Sequence, residues 1–128
     1  MGVAAKDIIP LHRLGETTDQ GFQIDKVLAA VPDPLYLEGL QQDHIWEPVG
    51  CNECNNSGYQ GRIGLYEAIV MNKEIEEAVL SNPSERDIET ASRSQHLLNL
   101  TEDGVMKVLT GLTSLSELGR VVDLSGLE

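Results

Sequence analysis

From Gly50 to Arg62 the chain runs Gly50-Cys51-Asn52-Glu53-Cys54-Asn55-Asn56-Ser57-Gly58-Tyr59-Gln60-Gly61-Arg62, a glycine- and asparagine-rich stretch that suits neither a helix nor a strand. Glycine tolerates positive φ without a steric penalty, so the run reads as a tight turning loop carrying two thiols. It fixes what can lie on either side. Ile45 to Val49 reads as a strand, with Ile45 and Trp46 as β-formers and Pro48 confining it to an edge. Arg62 to Val70 reads as a second strand, so the loop is expected to sit on a small two-stranded hairpin.

The flanking sequence is mainly helical. Met1 to Gln20 has weak periodicity, with a strand-like piece near Ile8-Ile9 followed by loop. Ile24, Val27, Leu28 and Val31 fall at helical spacing between Phe22 and Pro32, with Asp19 or Gln20 near the start. Asp33-Pro34 then supplies an N-cap and a proline at N1 for a short helix to about Leu40. Beyond Met71 the capping signals repeat. Asn72 opens a helix to Leu80, Ser84 with Asp87 one to His96, Thr101 one ending at Gly111, and Ser114 with Glu117 one carrying Leu115, Leu118 and Val121.

The expected fold is α+β: a small two-stranded, zinc-knuckle-like hairpin with N-terminal helices, followed by a compact bundle of about four short helices. Residues 1–71 and 72–128 are the two expected subdomains. With one Phe, three Tyr and one Trp in 128 residues, the core must be aliphatic. Gly2 and the closing Leu127-Glu128 are set aside from the fold as cloning residues.

Nine Lys and Arg against 21 Asp and Glu give a formal net charge of −12. Such a surface repels phosphate backbones and anionic headgroups, which argues against nucleic acid and membrane surfaces as partners. No stretch approaches the ~20 apolar residues that cross a bilayer, and no basic segment precedes an apolar one as in a secretory signal. Direct membrane insertion is therefore not expected, and Cys51 and Cys54 fit a reducing cytoplasm.

Two thiolates separated by two residues and followed by glycines form a zinc knuckle, which is half of a four-ligand structural site. The remaining ligands must come from elsewhere, and His12 is the first candidate, ahead of His44 and His96. A second reading stays open: two small buried thiols in a tight turn, able to oxidise to a disulfide, and a histidine held only by hydrogen bonds. Other chemistries fail. Glu74, Glu76, Glu77, Glu85, Asp87 and Glu89 lie on helix faces as solvated charge, and no nucleophile elbow is present. The cysteines do not open a helix that would lower a thiol pKa for redox work. No GxxxxGK[ST] phosphate loop occurs, so no nucleotide site and no enzymatic activity are expected of this chain.

Cys51 to Arg62, then Ile63-Gly64-Leu65-Tyr66-Glu67, resembles the motif near the C-terminus of type II secretion and type IV pilus assembly ATPases. There a CxxC precedes a GYxGR element and an IGIYE-like strand. The similarity continues in order through Glu102-Asp103-Gly104, Lys107-Val108, Gly111-Leu112-Thr113-Ser114, Glu117 and Arg120-Val121, covering about residues 50 to 122. The family usually carries an earlier CxxC, and here Ile9 and His12 stand in the two cysteine positions. The resemblance thus implies a site of Cys51, Cys54, His12 and a water or acidic side chain, or one without metal. It further implies a C-terminal module of a hexameric motor at the cytoplasmic face of the inner membrane. Its partners would be a RecA-like ATPase core, neighbouring subunits and an inner-membrane platform protein, and its role structural coupling. The alternative is a free-standing zinc-knuckle adaptor; a nucleic-acid-binding knuckle is disfavoured by the charge.

Overall fold

The computed structural model describes residues 2–4, 8–13, 22, 24–31, 33–40, 44–48, 50, 52 and 54–127. Its strands are β1 (Gly2–Ala4), β2 (Ile8–Arg13), β3 (His44–Pro48) and β4 (Tyr59–Arg62). Its helices are α1 (Ile24–Ala29), α2 (Lys73–Leu80), α3 (Glu85–Ser92), α4 (Leu100–Leu109) and α5 (Leu115–Leu118), with 3₁₀ turns at Pro34–Leu37, Arg93–Gln95 and Ser125–Leu127. The architecture is α+β, as expected, but its strand pairing differs.

The two strands flanking the cysteine loop do not form a hairpin with each other. β3 pairs antiparallel with β2, in register Ile8↔Pro48, Ile9↔Glu47 and His12↔Ile45, while β4 pairs antiparallel with β1, Gly2 opposite Arg62. The N-terminal run supplies both partners. Between β3 and β4 the chain passes through Asn55, Asn56 and Gly58, all at positive φ, which carries it out of line with β3. Pro48, at the end of β3, has no N–H with which to begin a hairpin ladder. Gly2, set aside as a cloning residue, is therefore part of a strand, and Leu127 is buried in the core.

The second strand is also displaced. β4 ends at Arg62, and residues 63–70 run on without a strand partner among the described residues. Helical side chains take the place of a neighbouring strand. Asp103 Oδ2 accepts the Tyr66 N–H at 2.9 Å, and Gln95 accepts the Val70 N–H at 2.9 Å while donating to its carbonyl at 2.6 Å. Glu67 in turn accepts the Leu100 N–H, at 2.8 Å, at the start of α4. The β-forming residues at 63–70 predict an extended backbone but not what pairs with it.

Capping explains most helix boundaries. Asn72 Oδ1 accepts the Ile75 N–H at 2.9 Å, and Ser84 with Asp87 closes a capping box on α3. The third cap shifts from the expected Thr101 to Asn99. There Asn99 Oδ1 accepts the Glu102 N–H at 2.9 Å and Glu102 accepts the Asn99 N–H at 2.8 Å, a reciprocal box that Thr101 could not make with its own neighbours. α4 closes in a Schellman turn: with Gly111 at φ 76°, its N–H reaches Val108 O at 3.0 Å and the Leu112 N–H reaches Lys107 O at 2.9 Å. α5 is shorter than its pattern, ending at Leu118, so Val121 lies beyond it and is exposed. Asp33 caps the 3₁₀ turn that starts at Pro34, accepting the Leu35 N–H at 3.0 Å. The expected cap at Asp19 or Gln20 lies outside the described residues.

One aliphatic cluster joins the elements. Phe22, Val27, Val31 and Ile45 pack with Val105, Val108, Leu109, Leu115, Leu118, Leu124 and Leu127, so residues on both sides of position 71 share it. Gly104 is the point of closest approach between α4 and α5, since a Cβ there would overlap Leu118 Cδ1 and stand 3.1 Å from Cδ2. Among the described residues no helix is long and apolar enough to cross a membrane.

Candidate functional site

The cysteine loop is built on two close approaches at glycine. A Cβ on Gly58 would stand 2.9 Å from Pro48 Cβ, and one on Gly50 2.7 Å from Asn56 O, so glycine at each end lets the loop fold back onto the end of β3. Gly58 at φ 80° then presents its N–H to Cys54 Sγ at 3.3 Å. The Ser57 hydroxyl donates to Cys54 O at 2.7 Å, and the Ser57 N–H reaches the same carbonyl at 3.1 Å. Cys54 is 7% exposed. A sulfur held by an amide donor in a turn of this kind suits a thiolate, the form that binds zinc.

The three expected ligands are not placed alike. Cys51 lies outside the described residues. Cys54 sits in the cysteine loop as described. His12 belongs to β2 and pairs with Ile45, three residues before Pro48, so its backbone lies about 10 Å along β3 from the strand end that leads into the loop. His44 opens β3, and His96 follows the Arg93–Gln95 turn at φ 54°. Among the described residues no three His, Cys, Asp or Glu side chains converge as a metal site.

The cysteine loop is tied to α5 by Tyr59. Its hydroxyl hydrogen-bonds with Ser114 Oγ and lies 3.3 Å from Ser116 Oγ; the two serine oxygens are 2.9 Å apart. Ser114 is buried and also caps α5, accepting the Glu117 N–H at 3.3 Å. One buried hydroxyl thus connects the end of the cysteine loop to the start of the last α-helix.

A second lock holds residues 65–67. Asp103, already bonded to the Tyr66 N–H, pairs with Lys107 one turn on, and Lys107 Nζ lies 5.6 Å above the Tyr66 ring. A third is centred on Glu102, which is 7% exposed and accepts from Arg93 at 2.8 Å as well as from the Asn99 backbone. The Glu102 carboxylate, by hydrogen bonding, holds the Arg93 guanidinium above its ordinary pKa. Asp33, Tyr36, Arg93, His96 and Leu97 line a cavity of about 620 Å³, where the Tyr36 hydroxyl donates to His96 O at 3.1 Å.

Tyr59, Asp103 and Lys107 were legible only as members of a motif string, and Ser114 also as a helix cap. Nothing in their spacing shows that Tyr59 meets Ser114 or that Asp103 meets Tyr66, because those contacts span 55 and 37 positions.

Comparison with known proteins supplies the family. The family described as Type II/IV secretion system protein matches residues 11–120, and the chain belongs to that family. Among its relatives, the type II secretion system protein E of Aeromonas hydrophila is 41% identical over 85 residues, 66% of this chain and 17% of that protein. The type II secretion system ATPase E of Vibrio cholerae is 34% identical over 121 residues, 94% of this chain and 23% of that protein. The type IV pilus assembly ATPase PilB of Thermus thermophilus is 33% identical over 100 residues, 72% of this chain and 11% of that protein. The matched region thus spans less than a quarter of the length of each of these relatives.

Proposed function

We propose that the chain acts as a non-catalytic module of a type II secretion or type IV pilus assembly motor, coupling an ATP-hydrolysing core to the rest of the machine. The observation that carries this is an uncovered apolar strip. Tyr66, Val70, Met71 and Leu80 are each at least 60% exposed, and Ile69 and Val79 more than 40%. Exposed large apolar side chains grouped within residues 66–80 of a chain of charge −12 mark a surface that another protein layer covers. Most of the length of the relatives lies outside the match, which leaves room for such a layer. In this reading the Tyr59, Asp103 and Glu102 locks keep the module stiff, the knuckle is a rigid protrusion, and the strip is the packing surface against a RecA-like core or a neighbouring subunit. The working location is the cytoplasmic side of the inner membrane, near a platform protein.

Two experiments test the proposal. Purified chain incubated with ATP and magnesium is expected to release no phosphate; turnover that survives further purification would overturn the non-catalytic role. The Vibrio cholerae relative, expressed without its matched segment, is expected to form a complex with this chain that Val70→Asp with Leu80→Asp abolishes. A complex insensitive to both substitutions would remove the strip from the mechanism.

Zinc is part of the same proposal. Cys51 and Cys54 would hold the ion, with His12 the third expected ligand, and the ion would supply structural closure of the loop. Elemental analysis of chain purified without chelator is expected to give about one zinc per chain, lost in Cys54→Ser. Absence of metal with intact thiol reactivity would leave the loop held by the Gly58, Ser57 and Tyr59 bonds alone.

A further inference from the structure

A groove separate from the knuckle runs between residues 67–69, α3 and the start of α4. It encloses about 280 Å³, and Glu67, Ile69, Glu85, Ile88, Glu89 and Leu100 line it. Its apolar side chains are incompletely covered: Ile69 is 42% and Leu100 39% exposed. Carboxylates stand around them. Glu85 and Glu89 are one turn apart on α3 with Ile88 on the same face, so two like charges flank an apolar residue, an arrangement that opposes helix formation. Glu85 has no hydrogen-bond or ion-pair partner among the described residues. Arg86, next to Glu85 on α3, makes no ion pair with either carboxylate among the described residues, and Arg93 bridges Glu89 at 3.2 Å but makes its shorter bond, 2.8 Å, to Glu102.

We infer that this groove docks a basic amphipathic segment of a partner protein, its apolar side chains on Ile69, Ile88 and Leu100 and its Lys or Arg side chains on Glu85, Glu89 and Glu67. Charge selects this occupant. A second copy of the chain carries −12 and is repelled, as are anionic lipid surfaces and nucleic acid. A cation seated between Glu85 and Glu89 converts their repulsion into attraction on both sides, and the exposed apolar floor supplies area that a simple counterion cannot use. The groove shares Ile69 with the Tyr66–Leu80 strip but is otherwise lined by α3 and the start of α4, and the inference does not depend on zinc.

The test uses the full chain and a synthetic amphipathic helix of Leu and Lys, with a Leu and Glu helix as control, followed by methyl NMR at physiological salt. Saturable shifts at the Ile69, Ile88 and Leu100 methyls are expected with the Lys peptide only. Glu85→Lys is expected to weaken binding about tenfold, as an attractive contact becomes repulsive. Asp25→Lys, the same change of net charge on α1, is expected to change it by less than about twofold, because charges beyond ~8 Å are screened. Equal weakening by both substitutions would show bulk charge alone and overturn the proposal. So would shifts confined to Val79 and Leu80, absence of binding, or groove shifts that appear on concentrating the chain without peptide, which would assign the groove to a second copy. The dispersed methyl spectrum of each variant reports that it is folded.

Discussion

Gly104→Ala separates two opposing effects of known size. Gly104 lies within α4, where alanine is favoured over glycine by about 0.8–1.0 kcal/mol. Taken alone, that propensity predicts a more stable protein. However, the added methyl would overlap Leu118 Cδ1 and stand 3.1 Å from Cδ2 and 3.3 Å from Cγ, and Leu118 is 0% exposed, so it cannot swing into solvent. Overpacking of a closed core costs about 1–3 kcal/mol. Packing should win, leaving a net loss of up to about 2 kcal/mol. Urea unfolding should show it as a lower midpoint at unchanged slope. The partner substitution sharpens the test. Leu118→Ala alone should cost about 2–5 kcal/mol through the cavity it opens. Combined with Gly104→Ala it should cost about 1 kcal/mol less than the sum, since the new methyl enters that space. A Gly104→Ala variant that gains stability, with additive behaviour in the double variant, would refute the close α4–α5 contact.

The other locks give their own outcomes. Glu102→Ala removes a reciprocal cap and a charged hydrogen bond from Arg93, and should cost about 1.5–3 kcal/mol in the same assay, with a double-mutant cycle against Arg93→Ala isolating the ion pair. Tyr59→Phe deletes the bond to Ser114 and should cost about 1 kcal/mol, with faster amide exchange at Ser57 to Gly61 than elsewhere; uniform exchange would detach the knuckle from α5. Asp87 sits below the ordinary aspartate value of 3.8, because the Ser84 side chain and then its backbone N–H favour the carboxylate. Its contribution is therefore present above the unfolded pKa and lost as pH falls through the folded one. Ser84→Ala should raise the Asp87 midpoint in an NMR titration, and the stability gap between the two proteins should close at acid pH; a gap independent of pH would refute the box.

What the sequence disclosed follows the range of the forces involved. Caps at Asn72, Ser84 and Ser114 and the proline-started turn at Asp33-Pro34 depend on neighbours within a few residues, and they stand as read. Asn99 displaced Thr101 because a reciprocal box with Glu102 outweighs a single hydroxyl cap, a distinction the local pattern contains but a one-sided search misses. Strand pairing was not legible. Whether β3 meets β4 or β2 turns on how the intervening loop leaves the strand, and that is set by Gly50 and Gly58 pressing on Asn56 and Pro48. The segment 63–70 misled for a related reason: its composition specifies an extended backbone, while Asp103 and Gln95, far along the chain, supply what a strand would have supplied.

The same contacts suggest how one motif string can serve a mechanical role without chemistry. Tyr59 with Ser114, Tyr66 with Asp103 and Lys107, and Gly104 with Leu118 each join a residue of the loop-and-extension half, or of α4, to the helix that follows it. Each uses a polar or steric fit that tolerates little sliding, whereas aliphatic contact alone would permit it. Residues 63–71 thereby become a rigid strap, with backbone groups fixed on one side by Asp103 and Gln95 and apolar side chains left outward at Tyr66, Val70 and Met71. A strap held in this way can pass a displacement from whatever packs on its outer face to the cysteine loop at one end and to α2 at the other. That is the physical content of coupling in the proposed role, and it requires the locks and the exposed strip together.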